Sequence, residues 1–267
     1  MVEAKPSIGF TGPMTPALAV ERLELAYGGV AALDGVSFDV PAGLVTGLIG
    51  PNGAGKTTLF NVVSGLARQA SGTVHLFGQD VTGLPPHRLA RAGQVRSFQL
   101  ARGLPALTVF EHLMLYGPQQ PGERFWAALR RGKAVAAHEQ ALAERALAVG
   151  CRLGRAHVMD HRIGALSGGQ RKLLEIGRAL MPAPRLMLLD EPVAGVNATL
   201  AEAIGDHLMA IATEGTTVLL VEHDMALVER VCAHVVVMAL GRRLAEGRFD
   251  AVREDAAVQD AYLGARR

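Results

Sequence analysis

The stretch Gly50-Pro-Asn-Gly-Ala-Gly-Lys56-Thr57 constrains this chain more than any other. It follows a short apolar run, Leu44–Ile49, and opens a helix-like segment, Thr57–Gly65. A GxxxxGK[ST] spacing between strand and helix is the pattern of a phosphate-binding loop. Its glycines let the backbone curl so that several N–H groups point inward at phosphate oxygens, and the positive end of the following helix adds to them. The expected cradle is Gly50, Asn52, Gly53, Ala54, Gly55, Lys56, Thr57 and Thr58. Lys56 is expected to reach the β- and γ-phosphates of a nucleotide as a point charge, and the Thr57 hydroxyl to ligate Mg²⁺. The competing reading, a Gly-rich turn, is disfavoured by the strand before and the helix after.

Leu186-Met-Leu-Leu-Asp190 is the companion: four apolar residues, then an acid at a strand's end. A buried strand delivers Asp190 to the crevice where ligands collect in parallel sheets, and there it can hold Mg²⁺. Glu191 is then the natural general base for an attacking water. Alone, such a run is often only a strand before a helix cap; joined to the phosphate loop it gains weight. Leu166-Ser-Gly-Gly-Gln170 opens a third segment, helical to about Leu180. Ser167-x-x-Gln170 has the form of a capping box, so its plain reading is a helix start. The sharper reading is a second phosphate receptor formed by Ser167, Gly168, Gly169 and Gln170. Such a receptor cannot easily share, within one chain, phosphates already held by the Lys56 loop. A two-fold dimer solves that geometry.

The elements run β-rich, then helical, then alternating. Leu18–Tyr27 and Val36–Val40 alternate apolar and polar residues, with Gly28-Gly29 and Asp34-Gly35 as turn signals, and read as antiparallel strands. Thr73–Phe77 is a further strand. From about Leu100 to Arg162 the texture is helical, with a capping box at Thr108–Glu111 opening a helix through Tyr116, and an amphipathic helix over Ala134–Val149. Strands return at Leu186–Leu189, Thr216–Val221 and Val235–Met238, each after a helical stretch, which implies a largely parallel sheet. The 49% hydrophobic content supports a real core, and a net charge of +2 argues against a dedicated nucleic-acid binder. Cys151 and Cys232 form no CxxC, so neither a disulfide framework nor a zinc finger is indicated. No apolar run nears the ~20 residues that span a bilayer. Residues 1–16 lack the apolar stretch of a signal peptide and read as a flexible tail.

LSGGQ between the two nucleotide motifs is similar to the signature of ABC ATPases, and the resemblance runs from about Leu18 to Gly264. It implies an α/β fold: a P-loop NTPase (RecA-like) core with an N-terminal antiparallel β subdomain and an inserted α-helical subdomain. The implied division is a tail over 1–16, an ATPase domain over 17–249 (core 17–98 and 163–249, helical subdomain 99–162) and a C-terminal helical tail over 250–267. Tyr27 matches the family's adenine-stacking aromatic, although a lone Tyr could equally be a core residue. Gln99 matches the Gln that approaches Mg²⁺ and the lytic water, and His223 the switch histidine at the γ-phosphate. Asn197 stands where many relatives have Asp, and Gly168 where relatives often have a bulkier residue. His157-x-x-x-His161 has the spacing of a helical metal pair, but no third ligand is evident.

Several segments resemble the ATPases of branched-chain amino-acid and related amide/urea importers: RSFQ, LTVFEHLML, LLEIGRAL, EPVAGVN, VEHDMALV and VQDAYLG. Lipopolysaccharide-export ATPases share much of the tail and histidine segment; the connection Gly117–Lys133 favours the importers. The resemblance implies a peripheral subunit at the cytoplasmic face of the inner membrane, hydrolysing ATP with Mg²⁺. Its implied partners are a second ATPase subunit (identical or related), transmembrane permease subunits and a periplasmic or extracellular solute-binding protein, with no nucleic acid. Permease docking is expected beside Gln99 and Leu100–Tyr116, where Phe98, Leu104, Leu107 and Phe110 could serve either core or groove. Phe125 and Trp126 among arginines read as the inner face of a helix ahead of a membrane contact. A soluble ABC protein or a small-molecule P-loop kinase are the rivals from other classes.

Overall fold

A computed structural model of the chain describes residues 15–97, 104–118 and 133–264. Gln99, Phe98, Phe125, Trp126 and most of the expected tail over 1–16 lie outside these residues.

In chain order the strands are β1 (Leu18–Tyr27), β2 (Val30–Val40), β3 (Val45–Ile49), β4 (Ser71–Leu76), β5 (Gln79–Asp80), β6 (Gln94–Arg96), β7 (Leu186–Asp190), β8 (Thr217–Val221), β9 (His234–Ala239) and β10 (Arg242–Gly247). The helices are α1 (Lys56–Val63), α2 (Pro86–Arg91), α3 (Val109–Leu115), α4 (Lys133–Arg152), α5 (Gly168–Leu180), α6 (Ala198–Thr213), α7 (Met225–Val231), α8 (Phe249–Glu254) and α9 (Ala256–Gly264). One sheet has the order β2-β1-β4-β5, with antiparallel pairing throughout. The other has the order β10-β9-β3-β8-β7-β6, parallel except where β10 pairs with β9.

The second sheet is buried on both faces, which is why its strands read as continuous apolar runs. Along β7, Met187 and Leu189 enter one core while Leu186 and Leu188 enter the other. β8 divides its residues the same way, Val218 and Leu220 against Leu219 and Val221. The first core continues without a break into α5, α6, α7 and the helical region around α3 and α4. The second joins the sheet to α1 and to the inward residues of β1, β2 and β4. Both faces thus hold β3 rigid just before the Gly50 loop.

One expected turn is absent. Asp34-Gly35 lies inside β2, where Leu23 pairs with Val36 and Glu24 with Asp34, so Gly35 is left over as a bulge. Its φ of 73° suits a glycine at such a position. The bulge serves a long-range contact: Asp34 N–H donates to the Gly241 carbonyl, and its carboxylate receives Arg242 at 2.8 Å. β5, β6 and β10 were not anticipated. They are short or polar, and β6 and β10 are the two edges of their sheet, so they carry no apolar run for a sequence to reveal.

Candidate nucleotide site

The phosphate loop follows β3 and turns into α1. A Cβ on Gly50 would collide with the Met238 carbonyl oxygen of β9, and one on Gly55 with the Ala32 carbonyl oxygen of β2. Both glycines also take positive φ, 147° and 97°. The loop is therefore pressed against the ends of two neighbouring strands, and only glycine permits that approach. Helix α1 starts with no side-chain cap, so its first-turn N–H groups are left for a ligand. Lys56 is 6% exposed, and its Nζ donates to the Gly50 and Pro51 carbonyls at 2.6 and 3.0 Å. Burial lowers its pKa, while the charges of Glu191 and Asp190 raise it. One electrostatic cluster thus forms from the two motifs that the sequence placed 134 residues apart, 190 against 56.

Asp190 ends β7 at the carboxyl edge of the sheet. Its Oδ2 accepts from Arg96 at 3.0 Å, and the same guanidinium donates to Asn61 of α1 and to Ser64, that helix's C-cap, at 2.8 and 2.9 Å. Arg96, on β6, therefore ties the phosphate-loop helix to the acid. Sequence reading missed it: an Arg on a three-residue strand has no local signal. Thr57 is exposed at the mouth of the loop. The donors on offer for a metal are hard oxygens, one carboxylate and one hydroxyl. That set suits Mg²⁺, which usually keeps several waters and takes the remainder from substrate phosphates. Among the described residues there is no group of three His, Cys, Asp or Glu that could hold a metal alone. His157 falls in a 3-10 turn (Ala156–Val158) and His161 beyond it, so their spacing does not place them on one helical face.

Glu191 has φ 47°, a left-handed conformation that costs a residue with a side chain about 1–3 kcal/mol. Several bonds hold it there: its N–H donates to the Val221 carbonyl at 3.0 Å, and its carbonyl accepts from Ala194 and from Lys172 Nζ. Its Oε1 lies 3.3 Å from His223 Nε2. His223 follows β8, so adjacent parallel strands deliver the two groups to one place. Tyr27 is 54% exposed at the end of β1, which removes the core reading and leaves an aromatic face open to a ligand. Burial pushes the hydroxyl pKa of Tyr262, on α9, up to about 12, against a smaller lowering influence of the Gly50 backbone.

Ser167 N-caps α5. Its Oγ accepts from Gln170 N–H at 3.2 Å, and Gln170 Oε1 accepts from Ser167 N–H at 2.8 Å. The plain reading is thus realised as a full capping box. It does not exclude the sharper one, because a hydroxyl that accepts one bond still has its own proton to donate. Ser167 and Gly168 are exposed, and a Cβ at Gly168 would meet nothing within 4 Å. The space is open to the Cβ of a bulkier residue. Of the four apolar residues expected near the docking region, Leu104 is 56% exposed, Leu107 and Phe110 pack on the core, and Phe98 lies outside the described residues.

Known proteins resemble this chain over nearly its whole length. Residues 33–194 match the family described as "ABC transporter", and residues 242–267 one described as "Branched-chain amino acid ATP-binding cassette transporter". The Archaeoglobus fulgidus protein named "Probable branched-chain amino acid transport ATP-binding protein LivG" is 38% identical, over 93% of this chain and 95% of that protein. The Pseudomonas aeruginosa protein named "High-affinity branched-chain amino acid transport ATP-binding protein BraF" is 36% identical, over 93% and 98%. A solved ATP-binding cassette of an ABC transporter in its ADP conformation superposes with a TM-score of 0.82 at 39% identity, covering 93% of this chain and 99% of that one. The chain belongs to the ATP-binding subunits of ABC transporters.

Proposed function

We propose that this chain is the ATP-hydrolysing subunit of an importer for branched-chain amino acids or a related amide-type solute. The observation that carries the hydrolytic reading is the convergence of Lys56, Asp190, Glu191 and His223 at the carboxyl edge of one parallel sheet. The cargo class is supported by the C-terminal match over residues 242–267 and by the named relatives.

In this reading the loop Gly50–Thr58 cradles the phosphates of ATP, and Tyr27 stacks on the base. Lys56 leaves its own loop's carbonyls for phosphate oxygens, an exchange favoured by the lower desolvation of a cation facing an anion. Thr57 and Asp190, with Gln99, would hold Mg²⁺, which would supply positive charge to offset that of the phosphates. Glu191 accepts a proton from the attacking water as its oxygen adds to the γ-phosphorus and the bond to ADP breaks. His223 donates toward the phosphoryl oxygens and stabilises their charge.

Ser167 and its neighbours supply the second half of the site to another subunit, identical or related. Exposed Leu104 and the nearby α3 form the face offered to permease subunits, with a solute-binding protein beyond them. Among the described residues no helix is long and apolar enough to cross a membrane. Attachment at the inner membrane's cytoplasmic face would therefore come through those partners.

The test is Glu191→Gln, which conserves shape and removes the base. It should bind ATP, accumulate ATP-bound dimer and lose turnover about 100-fold or more. Full turnover in that variant would remove Glu191 from the role.

A further inference from the structure

We infer that Glu222 is a positioning residue for hydrolysis: its buried carboxylate clamps the loop carrying Glu191 to the loop carrying His223. The inference rests on the proposed roles of those two residues.

Glu222 directly follows β8 and is 3% exposed. Its two oxygens face different loops. Oε1 accepts from Val193 N–H at 3.0 Å, two residues beyond Glu191. Oε2 accepts from His223 N–H at 3.0 Å and from Asp224 N–H at 3.4 Å. Asp224 in turn caps α7, accepting from Leu227 N–H at 3.1 Å, so the second loop is anchored on its far side. On the first side, the Glu191 N–H is fixed to the Val221 carbonyl. The result is a short closed frame joining β7 and β8 just beyond their ladder.

The chemistry of the place explains why a carboxylate is informative there. Val193 and Val221 beside it are buried, and an apolar side chain would avoid the cost of desolvating a charge. Burial does push the Glu222 carboxyl above its ordinary range, and the Glu191 charge adds to that, while the three N–H bonds oppose it. A charge kept in such a position contributes geometry more than stability. The geometry at stake is the 3.3 Å separation of His223 Nε2 and Glu191 Oε1. The left-handed Glu191 also needs restraint on both sides, since such conformations persist only where the surroundings over-determine them. Without the Val193 bond, the Glu191 loop keeps its Val221 bond to β8, but the turn after Glu191 loses its tie to the His223 loop.

Glu222→Gln keeps the shape but turns an NH₂ group toward backbone donors, so one arm of the clamp is lost. In the purified full chain, kcat for MgATP hydrolysis should fall about 10- to 100-fold, the scale of a catalytic group displaced by about 1 Å. KM and the Kd for ATP should stay within error of the wild-type values, because the phosphate loop is untouched, while the Tm falls by only a few degrees for the one buried bond lost. Combining it with Glu191→Gln should add nothing to the loss from Glu191→Gln alone, as expected for residues acting on one step. Unchanged kcat in Glu222→Gln, with Glu191→Gln inactive in parallel, would overturn this inference and leave the proposed function standing. Parallel falls in kcat, ATP affinity and Tm, or a chain that does not fold, would make Glu222 architectural and overturn it too. Full turnover by Glu191→Gln would sink the underlying reading and this inference with it.

Discussion

Helices α1 and α5 both begin in glycine-containing loops and both present first-turn N–H groups to an anion, yet they are finished in opposite ways. Helix α1 has no side-chain cap, its loop is wedged between strand ends, and its lysine is buried against the loop's own carbonyls. Helix α5 satisfies itself through the Ser167–Gln170 box and faces solvent. Nearby helices α3, α6 and α7 are likewise capped by Thr108, Asn197 and Asp224. An uncapped start inside a rigid frame is a receptor waiting for its ligand. A capped, exposed start is stable alone and becomes a receptor only when something is brought to it. In the proposed reading, the difference means that the chain carries one finished half of a nucleotide site and offers the other half to a second subunit.

The contrast can be broken most sharply at Lys56. Lys56→Ala should weaken ATP binding about 100-fold or more, measured by titration calorimetry, because no other described cation faces the loop from within it. Ser167→Ala should leave ATP binding by a single chain within about two-fold while lowering hydrolysis about 100-fold in a kinetic assay. A large loss of single-chain affinity in that variant would mean that both halves serve one nucleotide in one chain.

Smaller effects sharpen the picture. Tyr27→Ala should raise the Kd for ATP about ten-fold, the worth of one aromatic face on a base, and Tyr27→Phe should restore it. Thr108→Ala removes a cap with no ligand role. It should cost about 1 kcal/mol in denaturant unfolding with kcat unchanged. Ser167→Ala should show a similar stability loss, so that its additional kinetic defect isolates the receptor role.

How legible was this in the sequence? The loop Gly50–Thr57, Asp190 and the capping box at Ser167 could be read because each is local: a spacing of residue types that dictates a backbone shape. Whole strands such as β7 and β8 were legible for the same reason, their continuous apolar runs matching burial on both faces. Asp34-Gly35 misled, because a turn-forming pair also suits a bulge, and only the distant Arg242 and Gly241 decide between them. Arg96 and Glu222 were invisible for a deeper reason. Arg96 acts on Asp190 across 94 positions, and Glu222 on Val193 across 29. Nothing in their own neighbourhoods marks either as more than a polar residue near a strand's end. Tyr27 was ambiguous until its exposure was known.

The most direct test of the central claim is a mixing experiment. Lys56→Ala and Ser167→Arg chains are each expected to be inactive, one lacking the finished half and the other the exported half. A mixed dimer would contain one doubly damaged site and one intact site built from the undamaged halves of both. Equal mixing should therefore restore about a quarter of wild-type ATP hydrolysis, since half the dimers are mixed and each has one working site. No recovery above the separate chains would contradict the account and place both halves around a single nucleotide within one chain.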